Sequence, residues 1–265
     1  MSGKGGEYAD VNGTRLYYEI AGAGQALVFI HGFSLDRRMW DNQFNQFAER
    51  FRTLRYDVRG FGRSALPKPG EPYSDSADLR ALMAHLDIDS AHLVGLSMGG
   101  SIATDFAIEH PQNIDTLVTV DASVSGWHWP NGHPIQEAIE RTREAGIAAG
   151  KKIWLEHPLF APANEQPVVA AHMEAIIDDY SGWHFSNEFT VTTPEPPAIE
   201  RLDQITAPTL VIVGELDTPD FFEIADRMAA DARATVYRIP GVGHMSNMEA
   251  PAKFNDILLN FLESR

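Results

Sequence analysis

The chain has 265 residues, 44% hydrophobic and 22% charged, which suits one large domain with a buried core and excludes a disordered chain. With 37 acidic against 21 basic residues the net charge is −16, so neither nucleic acid nor an anionic membrane face is expected as a partner. Cysteine is absent, which excludes disulfides, thiolate metal sites and a cysteine nucleophile.

Glu7 to Val11 and Thr14 to Ile20 read as strands on either side of an Asn12-Gly13 hairpin turn. The apolar run Ala26 to Ile30 is a strand of the kind buried on both faces, and it leads directly into His31-Gly32-Phe33. Arg52 to Tyr56 is the next strand, followed by Leu79, Leu82, Met83 and Leu86 at helical spacing. His92 to Leu96 forms another strand, and Ile102, Ala103, Phe106 and Ala107 mark a helix that Pro111 stops. After a strand at Thr116 to Val120 the alternation breaks. Residues 123–205 hold helix-like stretches at Ile135 to Ile147 and Val168 to Tyr180, no buried strand, and four of the five tryptophans: Trp127, Trp129, Trp154 and Trp183. Alternation resumes with the strand Thr209 to Val213, a helix carrying Phe221, Ile224, Ala225 and Met228, and the strand Thr235 to Ile239. A last helix places Phe254, Ile257, Leu258, Phe261 and Leu262 on one face. Eight strands joined mostly by helices predict an α/β fold, a mainly parallel sheet flanked by helices. Its core is expected at residues 1–122 and 206–265, with 123–205 as a helical insertion. No stretch has the apolar length of a signal peptide or a membrane span, so a cytoplasmic protein is expected.

Gly95-Leu96-Ser97-Met98-Gly99 lies between a predicted strand and a predicted helix. A serine on so sharp a turn projects its hydroxyl into open space, and the two backbones come so close that the flanking residues must be small. Gly95, Gly99 and Gly100 meet that need, and Ser97 is the candidate nucleophile. Serine is a weak nucleophile at neutral pH and needs a base and a group that orients the base. Asp217, in Gly214-Glu215-Leu216-Asp217, and His244, in Gly241-Val242-Gly243-His244, each follow a strand and give the chain order nucleophile, acid, histidine. The glycines before His244 read as a loop free to aim the imidazole. Asp121, also at a strand end, is the main rival acid, with Glu215 and Asp220 behind it. The backbone N–H groups of Phe33 and Met98 are candidates for the oxyanion hole of an acyl transfer. His31 reads as a brace of that loop, and Tyr56 to Ser64 as a structural turn. The four tryptophans of the insertion suggest an apolar or aromatic substrate pocket, and Arg141 and Arg143 are candidates to bind a substrate carboxylate. None of this chemistry needs a metal.

The stretches HGF, YDVRGFGRS, GLSMGG, GELD and GVGHMSNMEAP, in this order and spacing, closely resemble the α/β-hydrolase superfamily over the whole chain except the insertion. HGFSLDRRMW, RYDVRGFGRS and GLSMGG are most similar to the 3-oxoadipate enol-lactonase and small carboxylesterase group. The resemblance implies an α/β-hydrolase fold with residues 123–205 as a cap over the active site. It also implies cofactor-independent hydrolysis of a small-molecule ester or lactone through a triad of Ser97, His244 and Asp217 and an acyl-enzyme. Cofactor-free perhydrolases and carbon–carbon bond hydrolases are similar too, and a ligand-binding receptor that kept the fold is a further alternative. Haloalkane dehalogenases and epoxide hydrolases carry an aspartate where this chain has Ser97, which disfavours them.

Overall fold

The computed structural model describes residues 6–130 and 132–264. Its eight strands are β1 (Glu7–Val11), β2 (Thr14–Ala21), β3 (Ala26–Ile30), β4 (Arg52–Tyr56), β5 (Ala91–Leu96), β6 (Ile114–Val120), β7 (Thr209–Gly214) and β8 (Thr235–Ile239). They form one sheet in the order β1-β2-β4-β3-β5-β6-β7-β8. β2 is antiparallel to both neighbours, and the remaining pairs are parallel. At the β1–β2 turn Asn12 and Gly13 both take positive φ, 45° and 72°, the backbone a two-residue hairpin of this twist requires. Every residue of β3, β5 and β7 is buried, because helices cover both faces of the sheet and leave these central strands no solvent side.

The helices of the first half are α1 (Asp41–Phe47), α2 (Asp75–His85) and α3 (Met98–Glu109). Ser74 caps α2, its hydroxyl oxygen accepting the Ala77 N–H at 3.1 Å. Between β6 and β7 lie five more: α4 (Gln136–Ala145), α5 (Ile147–Leu155), α6 (Ala161–Asn164), α7 (Pro167–Asp179) and α8 (Trp183–Ser186). The helix expected from Ile135 to Ile147 is therefore interrupted. Gly146, at φ 88°, turns the chain so that α4 and α5 pack as a hairpin, and Gly150 supplies the close approach to Thr142. The chain closes with α9 (Pro219–Asp231), α10 (Ser246–Glu249) and α11 (Pro251–Glu263). Phe254, Ile257, Leu258, Phe261 and Leu262 of α11 are all buried.

Several ties join the 123–205 segment to the rest of the fold. Trp154 donates its indole N–H to the Ser34 hydroxyl at 2.6 Å. Tyr73, just before α2, pairs with the chain near Val191, its N–H donating to Thr190 and its carbonyl accepting from Thr192. Among the described residues no helix is long and apolar enough to cross a membrane.

Candidate active site

The carboxyl ends of the parallel strands share one edge of the sheet, and each hands over there to a loop that carries a candidate residue. Ser97 follows β5 directly, at φ 54° and ψ −115°, a conformation that residues with a side chain rarely adopt. Its surroundings over-determine it. The Ser97 N–H donates to the Val120 carbonyl at 2.9 Å, and the Ser97 carbonyl accepts from the N–H groups of Gly100 at 2.9 Å and Ser123 at 3.2 Å. A Cβ on Gly95 would strike the Gly99 carbonyl, one on Gly99 the Ile30 carbonyl, and one on Gly100 the Ala122 methyl.

Phe33 stands where β3 ends, on the far side of Gly32 from His31. His31 is fully buried: its Nδ1–H donates to the Gly32 carbonyl at 2.8 Å and its Nε2 accepts the Val58 N–H at 2.9 Å. Burial holds its pKa below the usual imidazole value, so the neutral ring braces the loop as the sequence suggests. The turn after β4 is likewise structural. Buried Asp57 accepts the N–H groups of Arg37 and Arg63 at 3.0 and 2.8 Å and pairs with the Arg37 guanidinium at 3.1 Å.

Asp217 and His244 come from neighbouring loops after β7 and β8. Leu216 N–H bonds the Val242 carbonyl at 2.9 Å, and the loops run so close at Gly214 that a Cβ there would strike the Gly243 carbonyl. The Asp217 carboxylate takes the His244 Nδ1–H at 2.9 Å through one oxygen and the Thr218 N–H at 2.7 Å through the other. That arrangement fixes the imidazole tautomer and leaves Nε2 free to accept a proton. The loop expected to be free is clamped. Buried Glu249 of α10 accepts the N–H groups on either side of His244, from Gly243 at 2.7 Å and from Met245 at 3.0 Å, and Phe221 lies 4.5 Å from the imidazole centroid to centroid.

The rival acid, Asp121, is committed elsewhere. One carboxyl oxygen accepts the Gly214 N–H at 2.7 Å and the other bonds the Ser246 hydroxyl at 2.6 Å, so it ties the end of β6 to the two loops that carry Asp217 and His244. Burial, and then the charge of Asp217, push its pKa well above the usual carboxyl range. Glu215 is exposed, and Asp220 takes the indole N–H of Trp127 at 3.1 Å.

Ser97, Met98, Phe33 and His244 all border one cavity of about 440 Å³. Trp127, Trp129 and Trp154 line it from the 123–205 segment. Trp183 does not: it packs behind His184 and Phe189, with ring centroids 5.0 and 6.1 Å away. Arg141 and Arg143 are exposed on α4 and do not line the cavity either, and Arg141 pairs with Glu144 at 3.2 Å. The cavity also receives two carboxyl groups that the sequence reading missed, Asp75 and Asp105. The signal for Asp105 was its spacing from Ser101, four residues apart on one face of α3, with Ser97 four residues earlier at the start of the helix. Among the described residues no group of three or more histidines, aspartates and glutamates is placed to hold a metal ion.

A model of the Alpha/beta hydrolase family matches residues 27–257. The chain is 30% identical to a putative carbamate hydrolase of a Caulobacter species, over 93% of this chain and 95% of that one. It is 24% identical to 3-oxoadipate enol-lactonase 1 of Acinetobacter baylyi, over 90% and 89% of the two chains. Among solved structures, an enol-lactonase from Burkholderia xenovorans superposes with a TM-score of 0.78 at 28% identity, covering 97% of this chain and all of the other.

Proposed function

We propose, from the premise that the chain belongs to the alpha/beta hydrolase family, that it hydrolyses a carboxylic ester or lactone through a triad of Ser97, His244 and Asp217. The observation that carries this reading is the 2.9 Å bond from His244 Nδ1–H to the Asp217 carboxylate, made where the imidazole and the strained Ser97 border the same cavity.

In the proposed mechanism the Ser97 oxygen attacks the substrate carbonyl carbon while His244 Nε2 takes the hydroxyl proton. Asp217 holds the ring in the required tautomer and stabilises the imidazolium that forms. The carbonyl oxygen, now an oxyanion, accepts from the backbone N–H groups of Phe33 and Met98, each contributing on the order of 3 kcal/mol to lowering the barrier. Collapse expels the alcohol, which leaves with the proton from His244, and gives an acyl-Ser97 ester. Water, deprotonated by the same nitrogen, then attacks that ester, and the acid leaves as Ser97 recovers its proton. The 123–205 segment acts as the cap, with Trp127, Trp129 and Trp154 giving the substrate an apolar wall and excluding bulk water.

A panel of p-nitrophenyl esters and simple lactones, assayed with the wild type and Ser97→Ala, tests this reading. Turnover that falls about 10³-fold or more in the variant is the expected result. Turnover only of acetate plus peroxide, or of 1,3-diketones, would replace ester hydrolysis with another reaction on the same residues. Ester turnover retained by Ser97→Ala would overturn the assignment of the nucleophile.

A further inference from the structure

The cavity that Ser97 borders is also lined by two acidic residues, Asp75 and Asp105. Ser97, Ser101 and Asp105 follow one another at four-residue steps, and all three line the cavity. At 1.5 Å rise per residue the Asp105 backbone lies about 12 Å from that of Ser97. Its side chain leans back toward the helix N-terminus, so the carboxyl stands roughly 10 Å from the serine. The first turn of α2 brings Asp75 and Ser76 to the same cavity, near enough to Asp105 for the two carboxyls to interact.

These groups are buried and incompletely satisfied. Asp75 and Asp105 are each 7% exposed and Ser76 4%. Asp105 binds one partner, the Ser125 hydroxyl at 2.6 Å, whereas Asp75 Oδ1 and the Ser76 hydroxyl make no hydrogen bond at all. A buried polar atom without a partner calls for an explanation, and in residues that line a cavity a ligand's donor group is one. No cation supplies it from the protein. Among the described residues no lysine or arginine lines the cavity, and the nearby Arg59 is held by both oxygens of Asp78, at 2.6 and 2.7 Å, and by the ring of Tyr73. Burial raises Asp105 to about 7 in spite of the Ser125 bond. Burial and the charge of Asp78 together raise Asp75 to about 8. Two buried carboxyls facing one cavity favour a ligand that brings a positive charge and several N–H donors, and disfavour an anionic one.

We propose that Asp75 and Asp105, with Ser76 and Ser101, form a recognition site for a protonated amine, so that the preferred substrate carries an ammonium group about six atoms from its scissile carbonyl. The scissile bond rests on the ester-hydrolase reading above; the amine site does not. It is tested with two pairs of near-isosteric esters, p-nitrophenyl 6-aminohexanoate against p-nitrophenyl heptanoate, and 5-aminopentyl acetate against hexyl acetate. In at least one pair kcat/KM should favour the ammonium ester about tenfold or more, and the preference should fall to within about twofold in Asp75→Asn/Asp105→Asn. Binding is read separately in Ser97→Ala from the fluorescence of the cavity tryptophans, with hexylammonium and 1-hexanol as probes. Hexylammonium should bind several-fold more tightly, and only while both aspartates are present. If it does and no ester is turned over, the amine site stands and the ester-hydrolase reading falls. Equal binding of the two probes, or an ammonium preference that survives the double substitution, overturns the proposal.

Discussion

Asp105→Asn should make the protein more stable, and increasingly so as the pH rises. The substitution keeps the shape and the acceptor that Ser125 uses at 2.6 Å, and removes only the ability to ionise. In the fold Asp105 titrates at about 7, against 3.8 for an unhindered aspartate. A carboxyl raised in this way contributes stability that is complete below the unfolded value and is lost as the pH climbs through the folded one. Each pH unit between the two is worth about 1.4 kcal/mol, so the wild type should lose about 2 to 3 kcal/mol between pH 5 and pH 8 that the variant keeps. The carboxyls that bear on Asp105 are Glu109, one turn along α3, and Asp75 on α2, and both are relieved by the same substitution. Urea unfolding of both proteins at pH 5 and pH 8 gives the comparison directly. A stability difference that does not change with pH, or a variant less stable at pH 8, would refute the idea that this carboxyl is held in a desolvated pocket without a cation.

Asp217→Asn should lower kcat on an ester about 10⁴-fold by favouring the wrong histidine tautomer, whereas Asp121→Asn should cost less than about tenfold. Steady-state rates of the two variants, each confirmed folded by circular dichroism, check this, and a reversed ranking reassigns the acid. Glu249→Gln removes one of the two oxygens that receive the N–H groups of Gly243 and Met245. It should cost about 1 to 3 kcal/mol of stability in urea and lower kcat on the order of tenfold. If both quantities stay at wild-type values, Glu249 does not hold the histidine loop.

The parts of this molecule that could be read from its sequence are those with one physical solution. ALVFI and TLVIV can satisfy their burial only as central strands, and the glycines around Ser97 fit only a turn on which two backbones nearly touch. Which of Asp121 and Asp217 bonds His244 could be read only in the third dimension, because both close a strand and only the paths of the side chains separate them. The histidine loop misled in the same way. Its glycines suggested freedom, but a Cβ on Gly243 would strike the Pro162 ring, and the Gly243 N–H is held by Glu249, six residues further on. Trp183 could not be told from the three tryptophans that reach the cavity, since composition marks a layer of aromatics without saying which side each one faces. Asp75 and Asp105 were hidden for opposite reasons. Asp75 opens a helix after a stretch with no periodic pattern, and Asp105 sits in a helix whose apolar residues drew attention to the opposite face.

The central claim is that Ser97 is an activated nucleophile. It is tested most directly by treating the protein with a fluorophosphonate and mapping the adduct by mass spectrometry. One probe per chain at Ser97, absent in Ser97→Ala and strongly slowed in Asp217→Asn, is the result expected from the bond between His244 and Asp217. An unmodified protein, or an adduct on any other residue, would contradict it.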